Sequence, residues 1–450
     1  MRALVLALLP AVAFAPATSA AGLVLPPALR PIYDLAGGAP PEFGADALLR
    51  LAANNKVKDR TTRLVIIEQA FDMASRATQD VKLAGAPGAI ADTEAGMRAQ
   101  SYAMSLDAVS LQARAIEAML KLSAPQAREM MLEARRPSLA PLTCADALTY
   151  DVSPYFEALT GVLSRSFTPA ERAKEEHVNF ALEFLSRVHA IAEVAPALRM
   201  IETAASFTPE QRNLLEVRAG SLMTSVDEDS RSFEAAQSEI GSVMPKQLGA
   251  AFAKLQQRMT QGTVCQVLET GKFATVIPGT PDPEGTAAEP QPLWTSPTAK
   301  QIIADARNVR FPGGLISAGL PETKPVDWEQ GFLSMLDRLS SWQPEGEEPD
   351  AQFYHEKCVL YEGLMDVAPT PEMRRRILED FLSLVSSSNI ERTSPEEWFF
   401  HVPEMIHRIP SATSAEQAAA LDLVSRTGDP ALILYATLEK LLPPDFGADR

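Results

Sequence analysis

The chain has 450 residues, too many for one ordinary core, so it divides into two domains or extends as an array whose pieces pack on their neighbours. With 41 basic against 58 acidic side chains it carries a formal charge of -17, a field that repels phosphate backbones and anionic headgroups and argues against nucleic acid as a partner. Aromatic residues are 6% of the chain, and Ala, Leu, Met, Glu and Arg fill the periodic stretches, so helices rather than strands are expected.

Residues 1–20, MRALVLALLPAVAFAPATSA, place Arg2 before an apolar run from Ala3 to Ala15 and end in small residues, the layout of a secretory signal peptide. The run is shorter than the ~20 residues a membrane span needs and contains Pro10, and no later stretch is long enough. Once the signal is removed, no integral membrane segment is expected, and the protein is extracytoplasmic, either periplasmic or secreted. Such compartments allow thiols to pair. A disulfide between Cys144 and Cys265, leaving Cys358 buried, is therefore one expectation; three unpaired core thiols is the other.

Residues 21–40, which include LVLPPALRPIYDL, read as an extended segment along the surface of an N-terminal helical-repeat domain at 41–276. Within that domain, periodicity marks helices near 59–78, 101–122, 152–164 and 245–259. LTCADALTYDVSPYFEAL, at 142–159, gathers Asp146, Tyr150, Asp151 and Tyr155 ahead of and just inside a helix with a cap expected at Ser153. Tyr with Asp can line a polar pocket or simply lock a turn, so these four are binding candidates beside a structural reading.

The architecture is clearest in two near-identical heptapeptides, SFTPAER at 166–172 and SFTPEQR at 206–212. Thr168 and Thr208 can cap a helix, Pro169 and Pro209 suit its first position, and Glu171 and Gln211 complete the reciprocal capping box. Variants recur at Ser123, Thr370, Ser394 and Thr413. The starts at Ser123, Thr168, Thr208 and Met244 stand 36 to 45 residues apart, room for two helices and their turns. Val178, Ala181, Leu185, Val188 and Ala192 then form one apolar stripe that must face a partner helix. Only VCQVLETGKFATVI, at 264–277, offers a β-hairpin.

The segment 277–297 holds six prolines among small polar residues and reads as a linker. Beyond it a C-terminal helical domain, 298–445, has helices near 326–341, 350–367 and 429–442, and a stripe of Met373, Ile377, Phe381 and Val385. EEWFFHVPEMIHRIP, at 396–410, supplies Trp398 and His401 as further binding candidates, able either to line a groove or to fill a core between helices.

No catalytic motif is complete. HEKCV, at 355–359, opens like a zinc-peptidase helix but has Val359 where the second histidine belongs. His401 and His407 are six residues apart and point in different directions. Ser317 in GLISAG lacks the preceding glycine of a nucleophile elbow, and Gly271-Lys272-Phe273 lacks the rest of a phosphate loop. No metal or cofactor is expected. The sequence thus implies an all-α fold of antiparallel helix pairs stacked as an irregular, α-solenoid-like repeat array, in two regions split by a Pro-rich linker. Its expected role is binding or scaffolding of a protein or peptide in the cell envelope. An extracytoplasmic, hydrolase-like enzyme whose site assembles only in three dimensions is the alternative, and a purely structural envelope component is a third.

Overall fold

The computed structural model describes residues 23–85, 93–143, 146–261, 264–267, 273–276, 296–308, 328–344, 350–368, 370–390, 393–409 and 414–442. In the N-terminal half the helices are α1 (Arg30–Ala36), α2 (Pro41–Ala53), α3 (Arg60–Ala74), α4 (Glu94–Tyr102), α5 (Ala108–Leu120), α6 (Ala124–Glu133), α7 (Ser153–Arg165), α8 (Pro169–Ala173), α9 (Glu176–Leu185), α10 (Val194–Thr203), α11 (Pro209–Met223), α12 (Ser230–Val243) and α13 (Gly249–Gln261). The second half adds α14 (Pro297–Asn308), α15 (Trp328–Ser341), α16 (Asp350–Val367), α17 (Pro371–Ser387), α18 (Pro395–His407), α19 (Ser414–Ser425) and α20 (Pro430–Leu441). Strands are few and short: β1 (Lys82–Gly85), β2 (Leu148–Asp151), β3 (Val264–Val267) and β4 (Phe273–Val276).

The repeated heptapeptides start helices as their chemistry requires. Thr168 Oγ1 accepts the Glu171 N–H at 3.3 Å while the Glu171 carboxylate accepts the Thr168 N–H at 2.6 Å. Thr208 and Gln211 make the same reciprocal pair at 3.3 and 3.1 Å. The phenylalanines just outside these caps are both buried and both meet one imidazole: His177 lies 6.1 Å from the Phe167 ring and 5.6 Å from Phe207, nearly parallel to the latter. The heptapeptide is written twice because each copy both starts a helix and sends an aromatic ring to the seam between successive units. Thr370 caps α17 one way only, its Oγ1 accepting the Met373 N–H at 3.2 Å, whereas Ser123 and Ser394 leave the work to the prolines behind them. Thr413 lies outside the described residues.

Three local differences from the sequence reading have physical causes. Residues 30–36, expected to be extended, form α1, because Leu29, Ile32 and Ala36 are buried and Pro31 sits in a first turn that needs no donor from it. The helix expected over 101–122 is two: Ser105 takes a positive φ of 55°, and Asp107 then caps α5 by accepting the Ser110 N–H at 2.9 Å. Ser153 is not a cap; it opens α7, and Asp151 Oδ1 accepts its N–H at 3.0 Å. Within the 264–277 stretch, β3 pairs antiparallel with β4, with Val264 opposite Val276, and β1 pairs antiparallel with β2.

Packing follows the stripes. α2 lies on α3, α3 on α5, α5 on α7, α7 on α10, α10 on α11 and α12, and α11 on α13. On the other side of residues 277–295, which lie outside the described residues, α16 packs on α14, α15, α17 and α18, and α17 and α18 on α19. α20 then packs on α19 and also on α1 and α2, and α4 packs on α16 and α18. Helices from the two halves of the sequence therefore share one connected hydrophobic core, running from Leu29 to Leu442. No helix among the described residues is long and apolar enough to cross a membrane.

Candidate functional site

The densest polar chemistry lies inside the core, between α16, α18 and α4. On α16, His355 and Glu362 are seven residues apart, and on α18, Glu397 and His401 are four apart, with Arg408, the residue that ends the helix, seven further on; these spacings put each set on one helix face. The two faces meet and their side chains alternate. Glu397 Oε2 lies 3.1 Å from His355 Nε2, His355 Nδ1 lies 2.8 Å from His401 Nε2, and His401 Nδ1 lies 2.8 Å from Glu362 Oε1. Both imidazoles have zero exposure.

Each end of this chain of four is closed by an arginine. Arg98 Nε donates to Glu397 Oε1 at 3.0 Å, and the Tyr102 hydroxyl donates to the same oxygen at 3.0 Å, both from α4. Arg408 Nη2 donates to Glu362 Oε2 at 3.3 Å and its other Nη binds Asp366. The row therefore crosses the seam between the two halves of the sequence. Aromatic packing shields it: the Tyr354 hydroxyl donates to the Trp398 carbonyl at 2.6 Å, and the Tyr354 ring sits 5.7 Å from His401.

Neighbouring carboxyls are driven in opposite directions. Burial alone would push Glu397 up, but the hydrogen bond from His355 and the charge of Arg98 outweigh it and hold the carboxyl at about 2. Adjacent Glu396 has no such partners; burial, reinforced by the Glu42, Asp107 and Glu397 carboxyls, pushes it up to about 7. Because Glu397 is depressed in the fold, its stabilising contribution is present above its unfolded value near 4.3 and is lost as pH falls towards about 2. The loss should be about 3 kcal/mol. Urea titrations between pH 5 and pH 2.5 should show this acid limb in the native protein and a flatter one in Glu397→Gln.

The sequence candidates divide sharply. His401 belongs to the buried row, and Trp398, 1% exposed, is core beside it, its Nε1 donating to the Val385 carbonyl at 3.0 Å. Asp146 is exposed and accepts from the Thr143 N–H and hydroxyl at 2.7 and 2.8 Å, which locks a turn. Asp151 pairs with Lys82 at 3.3 Å across the β1–β2 ladder, and Tyr150 is half-buried beside it in β2. Tyr155 is buried on α7 against Phe156 and Phe184, with its phenol pushed up by that burial. Cys144 and the Cys265 side chain lie outside the described residues, and Cys358 is a free, buried thiol. Among the described residues no group of three or more His, Cys, Asp or Glu could hold a metal ion.

Glu397, Glu362, Arg98, Tyr102 and Arg408 are the members that sequence reasoning did not single out. Their signal is a polar residue at four- and seven-residue spacing along three helices, α4, α16 and α18.

Two grooves open at the surface instead. One, of about 140 Å³, lies between α7 and α10 and is lined by Phe156, Glu157, Thr160, Pro196, Arg199 and Met200 among others. A wider one, of about 360 Å³, lies between the start of α11 and residues 245–247, with Phe207, Arg212, Asn213 and Pro245 in its wall. Beside it α11 exposes Leu214 and Val217.

Fold and site together define an all-α protein of stacked helix pairs with a sealed acid–base row. No family model matches the chain, and no curated protein matches it. A chain from a study of the computational design of self-assembling cyclic protein homooligomers aligns at 12% identity over 92% of this chain and 97% of its own, with a TM-score of 0.09, so the two do not superpose and the likeness carries no argument.

Proposed function

We propose that this protein is an exported binding or scaffolding module of the cell envelope, taking a protein or peptide partner between successive helix units. The observation that supports the reading is the contrast between its two kinds of site. The grooves at α7–α10 and at the start of α11 are open and mix apolar walls with a few polar side chains, as peptide-binding concavities of helical arrays do. The acid–base row between α4, α16 and α18 is enclosed. Export rests on the signal-like residues 1–20.

Affinity capture from the exported fraction with mature protein tests this, using a groove variant, Thr160→Arg with Met200→Glu, as the control. A partner retained by the native protein and lost by the variant is expected. Equal retention by both, or none by either, would count against the reading.

The hydrolase-like alternative is favoured by one observation, the two imidazole–carboxylate pairs His355–Glu397 and His401–Glu362. It needs substrate to reach atoms with zero exposure. Any activity of that kind should vanish in His401→Gln while groove binding persists.

A further inference from the structure

The two heptapeptides end in the same residue, and the fold uses the two arginines differently. Arg172 turns back on its own unit, where its Nε donates to the Phe167 carbonyl at 3.2 Å and its Nη2 to the Ser164 carbonyl at 2.6 Å. Arg212 makes no such bonds. It lines the groove of about 360 Å³ between the start of α11 and residues 245–247, and its Nε is enclosed without an acceptor. Among the described residues its guanidinium has no hydrogen bond and no ion pair.

One turn further along α11, Glu216 lines the same groove. It is only 8% exposed, and among the described residues its carboxyl likewise has no hydrogen bond and no ion pair. Burial pushes that carboxyl up, Arg212 opposes the shift, and Glu202 adds to it. Residues four apart on a helix stand side by side, about 5 to 6 Å between Cβ atoms, yet these two do not close into a salt bridge. An acid and a donor therefore stand open in one wall. The other wall brings no charge: it is lined by Pro245 and Gln247, and Gln247 Nε2 donates to Asn213 Oδ1 at 3.3 Å, tying it to α11. A nearly buried carboxylate without a partner is costly, and a cation that reaches it recovers that cost.

Resting on the reading of this groove as a peptide site, we propose that it takes the amino end of a peptide, with the terminal ammonium on Glu216 and the first carbonyl oxygen on Arg212. Ammonium and carbonyl belong to one residue and stay close together, matching an acid and a donor one helical turn apart. A lysine side chain brings an ammonium with no acceptor beside it and leaves Arg212 unpaired. A carboxyl end brings an acceptor and no cation for Glu216. Leu214 and Val217, exposed on α11 beside the groove, favour apolar side chains in the first residues of the peptide.

The test is calorimetric titration of the mature protein at about pH 7, where a terminal amine is mostly charged. The probes are leucyl-alanyl-alanine amide, the same peptide with its amino end acetylated, and free leucine. The free-amino peptide should bind about tenfold or more tightly than the acetylated one, and lose about that factor in Glu216→Gln and in Arg212→Met. Neither substitution removes a side-chain hydrogen bond of the fold, so both variants should keep the native thermal midpoint. Equal binding of free and acetylated peptide, or of free peptide by native protein and Glu216→Gln, would overturn the proposal and leave peptide binding at this groove standing. Free leucine binding as tightly as the peptide would overturn the assignment to a peptide end. Binding of neither peptide would overturn the proposal together with the peptide reading of this groove. The comparison of free with acetylated peptide uses native protein alone, so it decides the matter even for a variant that does not fold.

Discussion

Glu397→Ala should destabilise the protein by ~3 to 5 kcal/mol, among the largest effects expected of any single substitution outside the apolar core. The carboxylate is the acceptor for three donors at once, Arg98 Nε, the Tyr102 hydroxyl and His355 Nε2, and its side chain is 2% exposed. Removing it leaves a phenol and an imidazole buried without their acceptor, and a guanidinium that is only one-third exposed. Arg98→Ala should cost less, because Glu397 would keep two of its donors and water can approach where the guanidinium stood. Chemical denaturation of both variants gives the order; a milder effect in Glu397→Ala than in Arg98→Ala would contradict this account of the joint.

Trp398→Ala should cost a similar ~3 to 5 kcal/mol for a different reason. Its ring packs against Phe43 at 6.2 Å and Phe399 at 6.2 Å, so the indole fills the space where α2 from the first half meets α18 from the second. The Val385 carbonyl also loses its Nε1 donor. The expected signature is a lowered thermal midpoint with unchanged partner capture at temperatures where the variant is folded. Loss of capture in a fully folded Trp398→Ala protein would instead make this aromatic part of a binding surface.

Sealing the acid–base row has a consequence for how the molecule responds to its surroundings. Exposed charge pairs such as Arg375–Glu379 are screened by salt and contribute little, whereas the Glu397–His355–His401–Glu362 row is shielded from counterions by the core around it. Solution pH reaches it only through exchange of its protons.

The sequence by itself determined the elements. Thr168-Pro169 and Thr208-Pro209 satisfy or remove the orphan N–H groups of a first turn within three or four residues, so their helices could be read without knowing what they pack on. Of the expected stripe Val178, Ala181, Leu185, Val188 and Ala192, the first three are buried on α9, which ends at Leu185; Val188 is buried and Ala192 half-buried beyond it. Where local signals were evenly balanced, reading along the chain failed: α1 looked extended because its prolines were weighed without the apolar partners waiting in α2 and α20, and one helix was expected where Ser105 divides two.

Only the tertiary structure decided which polar residues meet. His401 was visible as a histidine among aromatics, but its partners His355 and Glu362 come from α16, the row's other end is held from positions 98 and 102, and no periodicity within one helix links α4 to α16 and α18. Asp146, Tyr150, Asp151 and Tyr155 looked equally promising because they are close in sequence, and the fold gives them separate local tasks. Capping and periodicity act over one or two turns and are written into neighbouring residues. A hydrogen-bonded row across three helices depends on which faces are brought together, and that is fixed by the burial of the whole core.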